Sequence, residues 1–187
     1  VKISTDNLRS PAALACFFLT AVLGLAADLW TKHLAQVHLE RPEPLPSRVV
    51  EFIPGWLHFE YTTNRGAVFG MGQGLRWLFL TVSIAAILFL LHLFLTSGRQ
   101  RLYQFCLGML LAGVIGNMYD RLRFGEVRDM IHALPGWTWG SSQREVFPWI
   151  FNVADSLLCV GVAIILLYSW FVPARRQAAV ASSEPAP

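Results

Sequence analysis

The chain has 187 residues, 55% of them hydrophobic and only 14% charged, a composition too apolar for an ordinary soluble domain and typical of an integral membrane protein. Its net charge of +3 comes without a basic stripe, and the sequence holds neither a Walker loop nor a dinucleotide-binding glycine fingerprint, so nucleic-acid binding and nucleotide chemistry are set aside. Cys16, Cys106 and Cys159 lie far apart in apolar runs, which suits neither a disulfide framework nor a metal site, and they read as small buried hydrophobes.

In chain order, the first apolar run is Pro11 to Ala27, a membrane-crossing helix over about 11–29 with its flanks. Lys2 and Arg9 precede it and Gly24-Leu25-Ala26 weakly resembles a small-x-small cleavage site, so a cleaved signal peptide is the alternative. Against that, removal would leave three crossings and discard Asp28, one helical turn from Lys32. An outer, β-rich segment follows over about 40–73. Within it Leu57, Phe59 and Tyr61 alternate with His58, Glu60, Thr62 and Asn64, the period of a strand with one covered face, and Gly55, Gly66, Gly70, Gly72 and Gly74 punctuate its ends. A small extracytoplasmic sheet at the membrane surface is expected, with Asn64 presented to the site.

Trp77 to Leu95 and Leu102 to Met118 supply the second and third crossings, about 75–96 and 102–120. On the third, Gly108, Ala112 and Gly116 form a small-residue stripe for close helix packing, and Gly113, Asn117, Asp120 and Arg121 line the stripe beside it. The second outer connection, Leu122 to Pro148, reads as a short loop or helix. It carries Asp129 and a Trp137/Trp139 turn that suits an interfacial anchor or a lid. The last crossing runs from Trp149 to Val172, about 148–172, with Asn152, Asp155, Ser156 and Cys159 on one face, so that Asn152 can orient the carboxylate one turn along. The expected fold class is a mainly α membrane protein: one domain over 1–172 with four transmembrane helices, then a flexible cytoplasmic tail at 173–187.

Lys2, Arg9, Arg99, Arg101, Arg175 and Arg176 place both termini in the cytoplasm by the positive-inside tendency. Four alternating crossings then bring Asp28, Lys32, Asn64, Asn117, Asp120, Arg121, Asp129, Asn152 and Asp155 to a single membrane face. A carboxylate in hydrocarbon costs about 2.5–3.5 kcal/mol even on lenient scales, so such a gathering marks a site. Two acids held close in a low dielectric share one proton and divide into an acid and a base, an arrangement that hydrolyses amides without a serine or cysteine nucleophile. The histidines show no H-E-x-x-H spacing, and Asp129 with His132, one turn apart if helical, is too small a set for zinc. Asp120 competes with Asp129 for the catalytic role; beside Arg121 and Arg123 it reads instead as a structural ion pair. A proton or cation carrier and a non-catalytic scaffold are the rival classes, the first expected to spread polar groups to the midplane.

Five ordered segments carry a resemblance: DLWTK (Asp28 to Lys32), TNRGAVFG (Thr63 to Gly70), GVIGNMYDR (Gly113 to Arg121), VRDMI (Val127 to Ile131) and FNVADS (Phe151 to Ser156). With them the chain resembles lipoprotein signal peptidase, or signal peptidase II, a family of four-span bacterial membrane aspartyl proteases. The resemblance implies cleavage of the signal peptide of a diacylglyceryl-modified prolipoprotein just before the lipidated cysteine, at the extracytoplasmic face of the inner membrane. It implies a catalytic pair of Asp129 and Asp155. Asn64, Gly66, Asn117, Asp120, Arg121 and Asn152 become substrate-binding or supporting groups, Asp28 with Lys32 a supporting pair, and no metal or cofactor is required. The partners it implies are the prolipoprotein and membrane lipid, around a monomer. Methionine after Asp129, where the family usually has phenylalanine, is a tolerable apolar exchange. The longer Asp129 to Asp155 segment bears on the lid and on substrate preference.

Overall fold

A computed structural model describes residues 10–42, 44–66, 74–96, 100–140 and 143–181, with 172–181 as backbone only. Lys2, Arg9, Arg99, Gly70 and Gly72, residues 182–187 and the side chains of Arg175 and Arg176 lie outside the described part. Among the described residues, four helices are long and apolar enough to cross a membrane.

The first, α1, runs over Pro11–Leu39. Pro11 at its start is preset for helix, and the Ser10 side chain accepts from Ala13 N–H. Residues Ala15–Leu19 form a π turn, after which the Thr20 hydroxyl returns to the Cys16 carbonyl at 2.6 Å. α1 thus outruns the expected end near 29 by ten residues, because Asp28 and Lys32 are matched by buried partners and Ala35 and Leu39 pack under the sheet. The stretch weighed as a signal peptide is the bundle-facing half of α1, with Phe17 stacked on Phe94 at 4.3 Å.

Helices α2 (Arg76–Thr96) and α3 (Arg101–Arg123) follow, and α4 spans Val153–Ala181. α3 is the most buried crossing and touches the other three. Its small residues do the work expected of them. Gly108 faces the Phe17 carbonyl and Thr20 of α1, Ala112 meets Gly24, and Gly113 lies under the Ala154 carbonyl and Leu158 of α4, so a side chain at either glycine would collide.

Outside the bundle, β1 (Val50–Ile53), β2 (Leu57–Asn64), β3 (Val127–Ala133) and β4 (Ile150–Phe151) form one antiparallel sheet in that order. Phe59 and Tyr61 of β2 pack with Met130 of β3 against Ala35 and Leu39, as the alternation suggested. His58 and Glu60 are half-buried too, because strands flank β2 on both sides.

Three expectations need correction. The second outer connection is not a loop or helix around Asp129: that residue sits in β3, paired with Thr62, so Asp129 and His132 do not share a helical turn. The last helix starts at Val153 rather than near 148, since Ile150 and Phe151 are used as β4, and it runs through Pro173 to Ala181 instead of yielding to a tail at 173, its Ala- and Arg-rich end having high helix propensity. Of the cysteines only Cys106 is buried, and Cys159 lies on the outward side of α4.

Candidate active site

Two chain reversals bring the polar residues together. Gly125, at φ 84°, closes α3 in the left-handed conformation that favours glycine, and the chain turns at once into β3. β3 therefore returns past the last turn of α3, and Arg128 N–H donates to Asp120 at 3.0 Å. The second reversal joins β4 to α4 through Asn152. Its side-chain oxygen accepts from Asp155 N–H at 2.9 Å while the Asp155 carboxylate accepts from Asn152 N–H at 3.3 Å, a reciprocal cap built with aspartate.

Asp129 is 2% exposed and Asp155 is half-buried. Asn152 Nδ2 donates to Asp129 Oδ1 at 2.6 Å, Asn117 Nδ2 donates to Asp155 Oδ1 at 2.8 Å, and Asn152 Nδ2 also reaches Asn117 Oδ1 at 3.2 Å. Two amides thus tie the strand-borne acid to the helix-borne acid. Asn64 adds a side-chain hydrogen bond to Asp129 and uses its own oxygen to hold Gly66 N–H at 2.8 Å. Burial first, and the charge of Asp155 second, push the Asp129 carboxyl up to about 7.

Behind the pair lies a charge-balanced quartet. Asp28, Lys32 and Asp120 have no exposed surface, and Arg128 is 4% exposed. Lys32 Nζ stands 2.8 Å from Asp28, 3.3 Å from Asp120 and 3.1 Å from Asn117 Oδ1. The Arg128 guanidinium lies 2.7 Å from Asp120, donates to Gln36 at 3.0 Å, and rests over the Phe124 ring. Asp28 spends its other oxygen on Ala154 N–H at 2.8 Å, fixing the start of α4. Arg121 holds the Gly66 carbonyl at 3.0 Å and sits over Phe79.

Every residue expected in the site is therefore in one constellation, through partners not all foreseen. Asp120 is an ion-pair residue as read, but its cations are Lys32 and Arg128, not Arg121 or Arg123. Arg128 and Gln36 were missed. A cation directly beside a candidate acid, between Val127 and Met130, was the available signal for Arg128.

Four apolar crossings, with a paired carboxylate where bundle meets sheet, define a polytopic membrane enzyme. Two solved structures share the fold, each a bacterial membrane enzyme determined in meso. One superposes with a TM-score of 0.65 at 27% identity, covering 90% of this chain and 92% of that one, and the other with 0.66 at 28%, covering 82% and 92%. The profile of the signal peptidase (SPase) II family matches residues 20–171, and the chain belongs to that family of proteases. Among similar proteins, the lipoprotein signal peptidase of Anoxybacillus flavithermus is 34% identical over 162 residues, 86% of this chain and 89% of that protein. The lipoprotein signal peptidase of Geobacillus thermodenitrificans is 35% identical over 156 residues, 83% and 89%.

Proposed function

We propose that this signal peptidase II family member is an aspartyl endopeptidase that removes signal peptides from diacylglyceryl-modified prolipoproteins, cutting before the lipidated cysteine with Asp129 and Asp155. The observation that carries the reading is the Asp129–Asn152–Asn117–Asp155 chain of contacts, which ties two acids from separate elements into one site.

Asp155, half-buried and the more accessible of the two, takes a proton from the attacking water. Asp129 gives its proton to the scissile carbonyl oxygen, so the tetrahedral intermediate forms neutral. Asp129 then recovers that proton as the carbonyl re-forms, and Asp155 passes the water-derived proton to the leaving amine. One water is consumed, and each acid ends as it began. Each transfer is worth about 10²–10⁴ in rate. Asn64, Arg121 and the Gly66 backbone form the rim that would hold the substrate peptide, and Asn117, Asn152 and Asp120 support the pair.

The enzyme would lie in the bacterial inner membrane as a monomer, both termini cytoplasmic and the site at the extracytoplasmic face. There a lipid-anchored substrate arrives laterally with its acyl chains still in hydrocarbon. The test compares a diacylglyceryl-cysteine peptide with its unlipidated form in detergent, using wild type, Asp129→Asn and Asp155→Asn. The reading expects lipid-dependent cleavage by wild type and none by either folded variant; cleavage by either variant would remove the pair from the mechanism.

A further inference from the structure

Asn117 connects the ion quartet to the acid pair, and the direction of its amide decides what it offers Asp155. Lys32 carries three donors and no acceptor. Its ammonium lies within ion-pair distance of Asp28 and Asp120 and donates to Asn117 Oδ1, so the oxygen of the amide has to face Lys32 and the NH2 has to face Asp155. Asn152 Nδ2 supplies the second donor to the same oxygen.

We infer that Lys32 is a positioning residue for the cleavage reaction: its ammonium selects the orientation of the Asn117 amide, which thereby presents a donor to the ionised form of Asp155. This rests on the proposed roles of Asp129 and Asp155 and goes beyond them. A purely structural Lys32 would only neutralise Asp28 and Asp120. The two roles are separable because the quartet balances two carboxylates against two cations, with Arg128 already on Asp120. Removing Lys32 alone leaves an uncompensated buried carboxylate, which is strongly destabilising, whereas removing Lys32 together with the charge of Asp28 leaves a neutral pair. Asparagine at position 28 keeps an oxygen for Ala154 N–H, and methionine keeps most of the lysine volume.

Without the ammonium only Asn152 Nδ2 still holds the amide oxygen, and whenever the amide turns, its oxygen faces Asp155, where it can accept only from the protonated acid. The acid-side limb of the rate profile, where the base must shed its proton, then moves to higher pH.

The experiment measures kcat, KM and the pH profile on a diacylglyceryl-cysteine peptide for wild type, Asp28→Asn, Lys32→Met and the Asp28→Asn/Lys32→Met double variant, each in detergent with its thermal midpoint. In the double variant kcat should fall about 10- to 100-fold, as when a group that only orients a reacting side chain is removed. KM should stay within about twofold and the acid limb should shift. Asp28→Asn leaves the Lys32–Asn117 bond in place and an excess cation in the quartet, so it should lower the thermal midpoint while keeping the shape of the wild-type pH profile. Recovery of wild-type kcat and profile in the double variant would overturn the inference, as would an equal shift in Asp28→Asn alone. If Lys32→Met does not fold, the double variant carries the test. Failure of the pair itself is separate, since it would appear as cleavage by Asp129→Asn or Asp155→Asn.

Discussion

Asn117 and Asn152 touch each other at 3.2 Å, and each holds a different acid: Asn117 donates to Asp155 at 2.8 Å and Asn152 to Asp129 at 2.6 Å. Asn152 also caps α4, so its two duties can be tested apart. Serine caps a helix about as well as asparagine, whereas alanine loses about 0.5–2 kcal/mol there. A serine hydroxyl lacks the reach to hold Asp129 and meet Asn117 at once. Asn152→Ser should therefore keep the cap and lose less thermal stability than Asn152→Ala, while cleavage drops at least about tenfold. Asn152→Ala should lower both. Full activity in Asn152→Ser would show that the bridge is dispensable.

The raised proton affinity of Asp129 fixes a sign for pH. In the proposed mechanism Asp129 donates to the carbonyl and is competent only while protonated, so cleavage should decline as pH rises through about 7, the decline reaching about tenfold per unit beyond it. A rate that stays level from pH 6 to 9 would contradict this assignment of the acid.

Stability follows the same group. An aspartate ordinarily loses its proton near 3.8, and folded Asp129 keeps it to about 7. Between those values the folded state binds more protons than the unfolded chain, so its contribution to stability is full below about 4, falls as pH rises through the window, and is level above 7. Asp129→Asn should remove that slope and leave the variant more stable than wild type above pH 7 by up to a few kcal/mol. The check is the denaturant midpoint of each protein in detergent at pH 4.5, 6 and 8. Parallel curves for the two would rule it out.

Asp120 serves Lys32 and Arg128 together, and it is the acceptor for the β3 backbone at Arg128. Losing one partner of a buried ion pair costs about 3–5 kcal/mol. Asp120→Asn should therefore lower the unfolding midpoint sharply, with reduced cleavage that follows the folded fraction. Complete inactivity in a fully folded Asp120→Asn would instead bring Asp120 into the chemistry.

These features were unevenly legible in the chain. The four crossings and the common face of the polar residues follow from apolar run length and the alternation of sides, constraints that a bilayer makes strong. The partner of Asp120 was not legible. Adjacent residues on a helix point about 100° apart, so Arg121 turns to Gly66 while Asp120 faces the returning strand, a contact created by the reversal at Gly125. β3 was obscured because Val127, Arg128, Asp129 and Met130 are all buried, which erases the apolar-polar alternation that revealed β2. The continuation of α1 past residue 29 was hidden by Asp28 and Lys32, charges that looked like the end of a crossing and are matched inside it.

The closest approach in the site sets the last expectation. A methyl group at Gly116 would fall on the Asp28 carboxylate and lie 3.4 Å from the Ala154 side chain. Ala154 N–H holds one Asp28 oxygen and Lys32 stands 2.8 Å from the other, which opposes a swing of the carboxylate and passes the strain to the start of α4, one residue before Asp155. Overpacking of this kind costs about 1–3 kcal/mol. Gly161 offers a contrast in the same bundle, because a methyl group there would meet the flexible end of Leu110 at 3.0 Å, which can rotate, on a part of α4 two turns below Asp155. Gly116→Ala should lose both thermal stability and kcat, while Gly161→Ala should lose at most some stability and keep its kcat. Normal turnover in Gly116→Ala would mean that the placement of Asp155 tolerates displacement of Asp28, and that the quartet does not position the pair.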